Sequence, residues 1–171
     1  MLQLIQPLKI FACKLKNEEL LLESQSGGAF TAIAHVFLRK GAIVYGCGMS
    51  HDNEAVYLRI DNEADLINIK GSKYVQAKME NVFSDIERDL RAGKMVLFSG
   101  TPCYVSAVKK YFSVKNMSEN LYTVDLICHG VPSPKIYRAY LDALEKKNRS
   151  SIKKFIFRDK NWESGTVIWK K

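Results

Sequence analysis

From Phe30 onward the apolar positions Phe30, Ile33, Ala34, Phe37 and Leu38 recur at the spacing of one helix face, and Gly41 is placed to end that helix. The same period returns at Val82, Phe83, Ile86 and Leu90 before Gly93, and again at Val105, Val108 and Phe112. It returns once more at Ile136, Tyr137, Tyr140, Leu141 and Leu144, behind Ser133 as N-cap and Pro134 in the first turn. Short apolar runs lie between these helices. Residues 42–46 and 55–60 read as paired strands joined by Ser50-His51-Asp52-Asn53, and residues 95–98, 121–127, 152–158 and 166–169 read as further strands. A short helix is expected over residues 63–69. Residues 9–15 and 20–22, separated by Asn17-Glu18-Glu19, predict an N-terminal hairpin. Strands alternating with amphipathic helices predict an α/β fold, a mixed β-sheet flanked by helices, in one compact domain over residues 1–171.

Composition narrows the class. The 171 residues are 47% hydrophobic, enough for a single core without disulfides or metal staples. No apolar run approaches the roughly 20 residues that a membrane-spanning helix needs. The first seven residues lack a basic region, a long apolar core and a small-residue cleavage site, so no secretory signal and a cytoplasmic location are expected. A formal charge of +8 raises the possibility of nucleic acid, but Lys109-Lys110, Lys146-Lys147, Lys153-Lys154 and Lys170-Lys171 are dispersed over different elements. They read as solvated surface, with the residual field suited to an anionic cofactor or an acidic electron carrier.

Cys13, Cys47, Cys103 and Cys128 include no CxxC pair, and in a reducing compartment disulfides among them are not expected. Cys13 and Cys47 lie in apolar, strand-like surroundings and read as buried thiols. Two loops carry more chemistry. Ser99-Gly100-Thr101-Pro102-Cys103 follows a strand and opens a helix, where the positive helix end favours a thiolate. Cys128-His129-Gly130 ends the next strand, so neighbouring strands are expected to bring Cys103 and Cys128 together, two of the four thiolates usual for a 4Fe-4S cluster. In open α/β sheets ligands gather at such strand ends. Ser26-Gly27-Gly28 opens a helix, a place for phosphate or simply a tight turn. Gly71-Ser72-Lys73-Tyr74 offers an ammonium beside an aromatic ring, or only a polar turn. A thiol hydrolase built on Cys103 and His129 with Asp125 as orienting group is a competing reading, although Asp125 is expected in mid-strand. His35 and His51 read as structural or exposed.

Taken in order, Ser26-Gly27-Gly28-Ala29-Phe30-Thr31, Gly71-Ser72-Lys73-Tyr74-Val75-Gln76, Phe98-Ser99-Gly100-Thr101-Pro102-Cys103 and Asp125-Leu126-Ile127-Cys128-His129-Gly130-Val131-Pro132-Ser133 closely resemble the landmarks of the coenzyme F420 hydrogenase/dehydrogenase beta-subunit family. The resemblance implies an electron-transfer oxidoreductase subunit that uses FAD and a 4Fe-4S cluster to pass electrons to coenzyme F420 or another soluble substrate. It implies a redox partner such as ferredoxin or another iron-sulfur subunit. By the same motifs, Cys103 and Cys128 become metal ligands, and Ser26, Gly27, Gly28, Lys73, Tyr74 and Thr101 become candidates for holding the flavin or its phosphates. The family's downstream CxxC pair is not in this sequence, so the chain is expected to stop before the cofactor site is complete and to hold no stable cluster as a monomer. A noncatalytic binding or assembly module with the same fold is the alternative.

Overall fold

The computed structural model describes residues 7–158 and 164–170. Residues 1–6, on which most of the absent-leader reading rests, lie outside them. The chain runs α1 (Glu18–Leu22), α2 (Ala29–Arg39), β1 (Ile43–Met49), β2 (Ala55–Ile60), a 3-10 turn (Ala64–Asn68), α3 (Val82–Arg91), β3 (Val96–Gly100) and α4 (Pro102–Val114). It continues through β4 (Leu121–Asp125), α5 (Pro134–Asn148), β5 (Ile152–Arg158) and β6 (Ser164–Trp169). One sheet has the order β2-β1-β3-β4, with β1 antiparallel to β2 and parallel to β3, and β3 parallel to β4. A second sheet is the antiparallel pair β5-β6. The fold is the expected mixed α/β arrangement, compact and flanked by helices.

Strand alternation decides how the layers form. Ile43, Tyr45, Val96 and Phe98 face one side, where Val82 and Ile86 of α3 and Val105, Val108 and Phe112 of α4 cover them. Val44 and Leu97 face the other side, where Ala34 and Leu38 of α2, Leu66 of the 3-10 turn and Ile69 just after it cover them. All five residues of β3 are buried, as expected of a strand packed on both faces. α2 and α4 therefore lie on opposite sides of the sheet. A third cluster, Ala55, Val75, Ala77, Tyr137, Leu141, Ile152 and Phe155, packs α5 and β5 against the end of the β1–β2 hairpin. Asn53 pins this junction, donating to the Ile152 carbonyl at 3.4 Å and accepting from the Phe155 N–H at 3.0 Å.

The N-terminal hairpin is not formed. Asn17 caps α1 instead, its side chain accepting from Leu20 N–H at 2.9 Å, while Glu18 and Glu19 sit in the first turn where a helix favours acids. Residues 9–15 carry no strand, and Cys13 is exposed rather than buried. β4 stops at Asp125, so Asp125 ends the strand instead of standing in its middle, and Ile127 is 92% exposed. Strand pairing ends there because β3 has already turned into α4. Among the described residues no helix is long and apolar enough to cross a membrane.

Candidate functional site

Parallel pairing sets the ends of β3 and β4 side by side, with Gly100 opposite Asp125, and the Leu126 N–H donates to the Gly100 carbonyl at 2.9 Å. Thr101-Pro102-Cys103 and Leu126-Ile127-Cys128 thus leave the sheet together. Thr101 is the extended N-cap of α4 and Pro102 fills its first position, where no N–H partner is needed. Thr101 Oγ1 lies 3.2 Å from Cys103 Sγ, and the Gly130 N–H donates to Cys128 Sγ at 3.3 Å. Both thiols are exposed. Gly100 has no room for a side chain: a Cβ there would overlap the Tyr57 hydroxyl. Tyr57 is itself held between Phe98, stacked at 5.0 Å, and Tyr104, edge-on at 5.7 Å. Burial pushes the Tyr57 and Tyr104 phenols up, and the Cys47 and Cys103 thiols act on both in the same direction.

The residues that follow the Gly71–Tyr74 loop are tied to this corner. Gln76 N–H donates to the Pro132 carbonyl at 3.1 Å, fastening the loop to the Cys128 segment, and Tyr104 donates from its hydroxyl to the Ala77 carbonyl at 2.6 Å. Lys73 is half-buried, and its ammonium donates to the Lys70 carbonyl at 2.7 Å. Burial depresses its pKa to about 8, the nearby Cys47 thiol opposes that change, and Lys154 adds to it. The Cys47 thiol is in turn raised by burial, with Lys73 pulling it back. Tyr74 is exposed, with its ring edge-on to Phe157 at 6.0 Å and under the Arg158 guanidinium at 5.8 Å.

Ser26, Gly27 and Gly28 stand apart from this corner. They open α2 on the opposite layer, joined to the loop through the Lys70–Glu23 ion pair at 2.8 Å. Gly28 is the helix N-cap at φ 74°, without a side-chain capping bond, so the first N–H groups of α2 have no intrahelical partner. The two glycines also have a packing reason. A Cβ on Gly27 would overlap the Cys13 carbonyl and one on Gly28 the Leu15 side chain, and Leu15 N–H donates to Gly27 O at 2.9 Å.

Near this corner the chain presents the half-buried ammonium of Lys73, the exposed ring of Tyr74 and the start of α4. A metal is less well provided for. Two thiols supply half of a four-ligand site, and among the described residues no group of three or more His, Cys, Asp or Glu side chains could hold a metal ion. The hydrolase reading gains no geometry, because the bonds of Cys103 and Cys128 go to Thr101 and Gly130 rather than to His129. His35 is paired with Glu63 at 3.0 Å and His51 is exposed. Sequence reasoning missed Tyr57, whose partners are distant in the chain, and it marked β5 as a strand without finding what β5 packs against.

Two family models match this chain, both for the beta subunit of coenzyme F420 hydrogenase/dehydrogenase. The model of its N-terminal part covers residues 10–84, and the model of its C-terminal part covers residues 93–171. Among curated proteins, none matches. A chain of the F420-reducing NiFe hydrogenase complex from Methanosarcina barkeri superposes with a TM-score of 0.65 at 19% identity, over 90% of this chain and 58% of that one. At that identity the likeness shows the shared fold, and this chain spans 58% of its structural relative's length. With both family models matched in order across the fold described above, the chain belongs to the coenzyme F420 hydrogenase/dehydrogenase beta-subunit family.

Proposed function

We propose that this chain serves an electron-transfer oxidoreductase that uses FAD and a 4Fe-4S cluster to pass electrons between an iron-sulfur donor and coenzyme F420 or another soluble substrate. The observation that carries the reading is that the Thr101–Cys103 and Cys128 segments leave the carboxyl ends of parallel β3 and β4 side by side, with the segment just after Lys73 and Tyr74 tied to the second of them by the Gln76–Pro132 bond. Lys73, Tyr74 and Thr101 would hold the flavin, whereas Ser26, Gly27 and Gly28 open α2 on the opposite layer of the sheet. Cys103 and Cys128 would contribute two cluster thiolates, the remaining ligands coming from outside the described residues. Bound FAD would supply the exchange between single electrons and a hydride.

An iron-sulfur protein, either ferredoxin or a companion subunit, is the partner this reading requires; the structural relative comes from a hydrogenase complex. The described cysteines are all free thiols, in keeping with a cytoplasmic setting. The test is anaerobic reconstitution with FAD followed by gel filtration and a visible spectrum. A flavin band that comigrates with the protein and is bleached by dithionite supports the reading, and protein that elutes colourless refutes it. The half-complete thiol set favours one second reading, a binding or assembly module, which predicts that colourless outcome.

A further inference from the structure

Basic residues that are scattered in the sequence meet at one corner of the fold. Lys146 and Lys147 lie in the last turn of α5, and Arg149 ends that helix at φ 50°. The chain then turns straight into β5: Ser150 N–H donates to the Glu145 carbonyl at 3.3 Å and Ile152 N–H to the Glu145 carboxylate at 2.8 Å. Lys170, just past β6, returns to the same place, its N–H donating to the Ser151 carbonyl at 2.8 Å and its carbonyl accepting from the Ser150 hydroxyl at 3.2 Å. A register shift between Ile152 and Lys154 leaves Lys153 and Lys154 both exposed. Lys146, Lys147, Arg149 and Lys170 are exposed as well, and among the described residues none of these cations is in an ion pair. The nearest acids in the chain, Asp142 and Glu145, pair with Arg138 instead. Ile168, 41% exposed, is the partner of Lys154 across the ribbon and shares a strand face with it and with Lys170, so the corner has an apolar spot between charges.

We propose that this corner, centred on Lys153, Lys154 and Ile168, is the docking surface for an acidic electron-carrier protein. The proposal rests on the electron-transfer reading above for the partner's redox character, and on charge complementarity for its acidity. Like charges gathered on one corner repel, and an acidic face relieves that repulsion and is steered toward it. Lysines dominate the group, and their hydrated point charges suit the small, short-lived interfaces of redox encounters, whereas phosphate clamps favour the planar fork of arginine, present here once. Position agrees with the role. β5 runs from this corner to Phe157, which packs edge-on to Tyr74 at 6.0 Å, and Lys153 stands four residues before it, about 13 Å along the strand.

The probe is an acidic plant-type ferredoxin titrated into the full chain by calorimetry, with basic cytochrome c as the opposite-charge control and duplex DNA as the other polyanion. Ferredoxin binds the wild type, cytochrome c does not, and raising salt from about 50 to about 500 mM weakens ferredoxin at least tenfold. Lys153→Glu combined with Lys154→Glu weakens ferredoxin about tenfold or more. Lys109→Glu combined with Lys110→Glu, the same change of charge on exposed residues of α4, weakens it less than about threefold. Circular dichroism reports that both variants are folded. Equal losses in the two variants, no ferredoxin binding by the wild type, or DNA bound more tightly than ferredoxin and released by the β5 variant overturns the docking surface. The binding needs no flavin. A colourless protein that docks ferredoxin through Lys153 and Lys154 therefore upholds the surface while the FAD reading fails, and a flavin-retaining protein that does not dock fails the surface alone.

Discussion

Replacing Lys73 by methionine should make the free protein more stable and its ligand binding worse. The lysine's proton affinity falls from that of an ordinary side chain to a pKa of about 8 because burial disfavours the ammonium. At about 1.4 kcal/mol for each tenfold change in proton affinity, the charged form costs the fold about 3 kcal/mol at neutral pH, an upper figure for a side chain still partly in water. The sign follows from the direction. Below pH 8 the native state carries the ammonium and the whole penalty is present. As pH rises through 8 the native lysine loses its proton before the unfolded one does, and the penalty fades by about 2 kcal/mol by pH 10. Cys47 and Tyr57, raised by burial, act oppositely at alkaline pH; Tyr57 cancels in the comparison, and Cys47, whose thiol Lys73 pulls back down, is removed by a parallel comparison in a Cys47→Ser background. Urea denaturation of wild type and Lys73→Met at pH 6 to 10 therefore reads Lys73 in the difference. We expect the variant to be more stable by about 1–3 kcal/mol at pH 7 and the gap to close toward pH 10. A variant less stable than the wild type at pH 7, by an amount independent of pH, would refute the claim that burial costs this ammonium more than the Lys70 carbonyl returns.

Further outcomes follow from other contacts. Asp89 is buried and accepts from the Tyr45 hydroxyl at 2.6 Å and from Arg59 Nε at 2.8 Å. Asp89→Ala should cost about 3 kcal/mol in chemical denaturation, since it strands both donors. Burial works to raise the Asp89 pKa, but those two bonds win and lower it, so its contribution should be present at neutral pH and fade as acid protonates it, a slope absent from the variant. Gly100→Ala should destabilise by about 1–3 kcal/mol through overlap with the Tyr57 hydroxyl, and Tyr57→Phe in the same chain should recover part of that loss in a double-mutant cycle. Asn17→Ala should cost about 1 kcal/mol or less, confined to the fraying of α1 by hydrogen exchange, because that helix buries no residue.

Much of the frame was legible because it obeys simple periods. The Phe30–Leu38 stripe became α2, and the alternation of Ile43 and Tyr45 with Val44 became the two faces of β1. Ser133 and Pro134 started α5 where their chemistry requires, with Ser133 Oγ accepting from Ile136 N–H at 3.4 Å. Residues 9–22 misled because Leu20, Leu21 and Leu22 resemble a strand while Asn17 and the two glutamates encode a helix start; over five residues the cap outweighs the apolar run. Cys103 and Cys128 could be placed at neighbouring strand ends from topology alone. The surroundings of Lys73 and Tyr74 could not, because Cys47 and Lys154 act on the first and Phe157 packs on the second from β1 and β5, and such long-range packing leaves no local signature. Gly27 and Gly28 show the converse: the motif was visible, but its need for Cys13 and Leu15 was not.

Whether this corner of the sheet takes up a flavin is measured most directly by the number of FAD molecules retained per chain after anaerobic reconstitution and gel filtration. One reducible FAD per chain, lost or sharply weakened in Lys73→Met while the variant stays folded, is the predicted result. No retained flavin in the wild type, or retention that ignores Lys73, would contradict it.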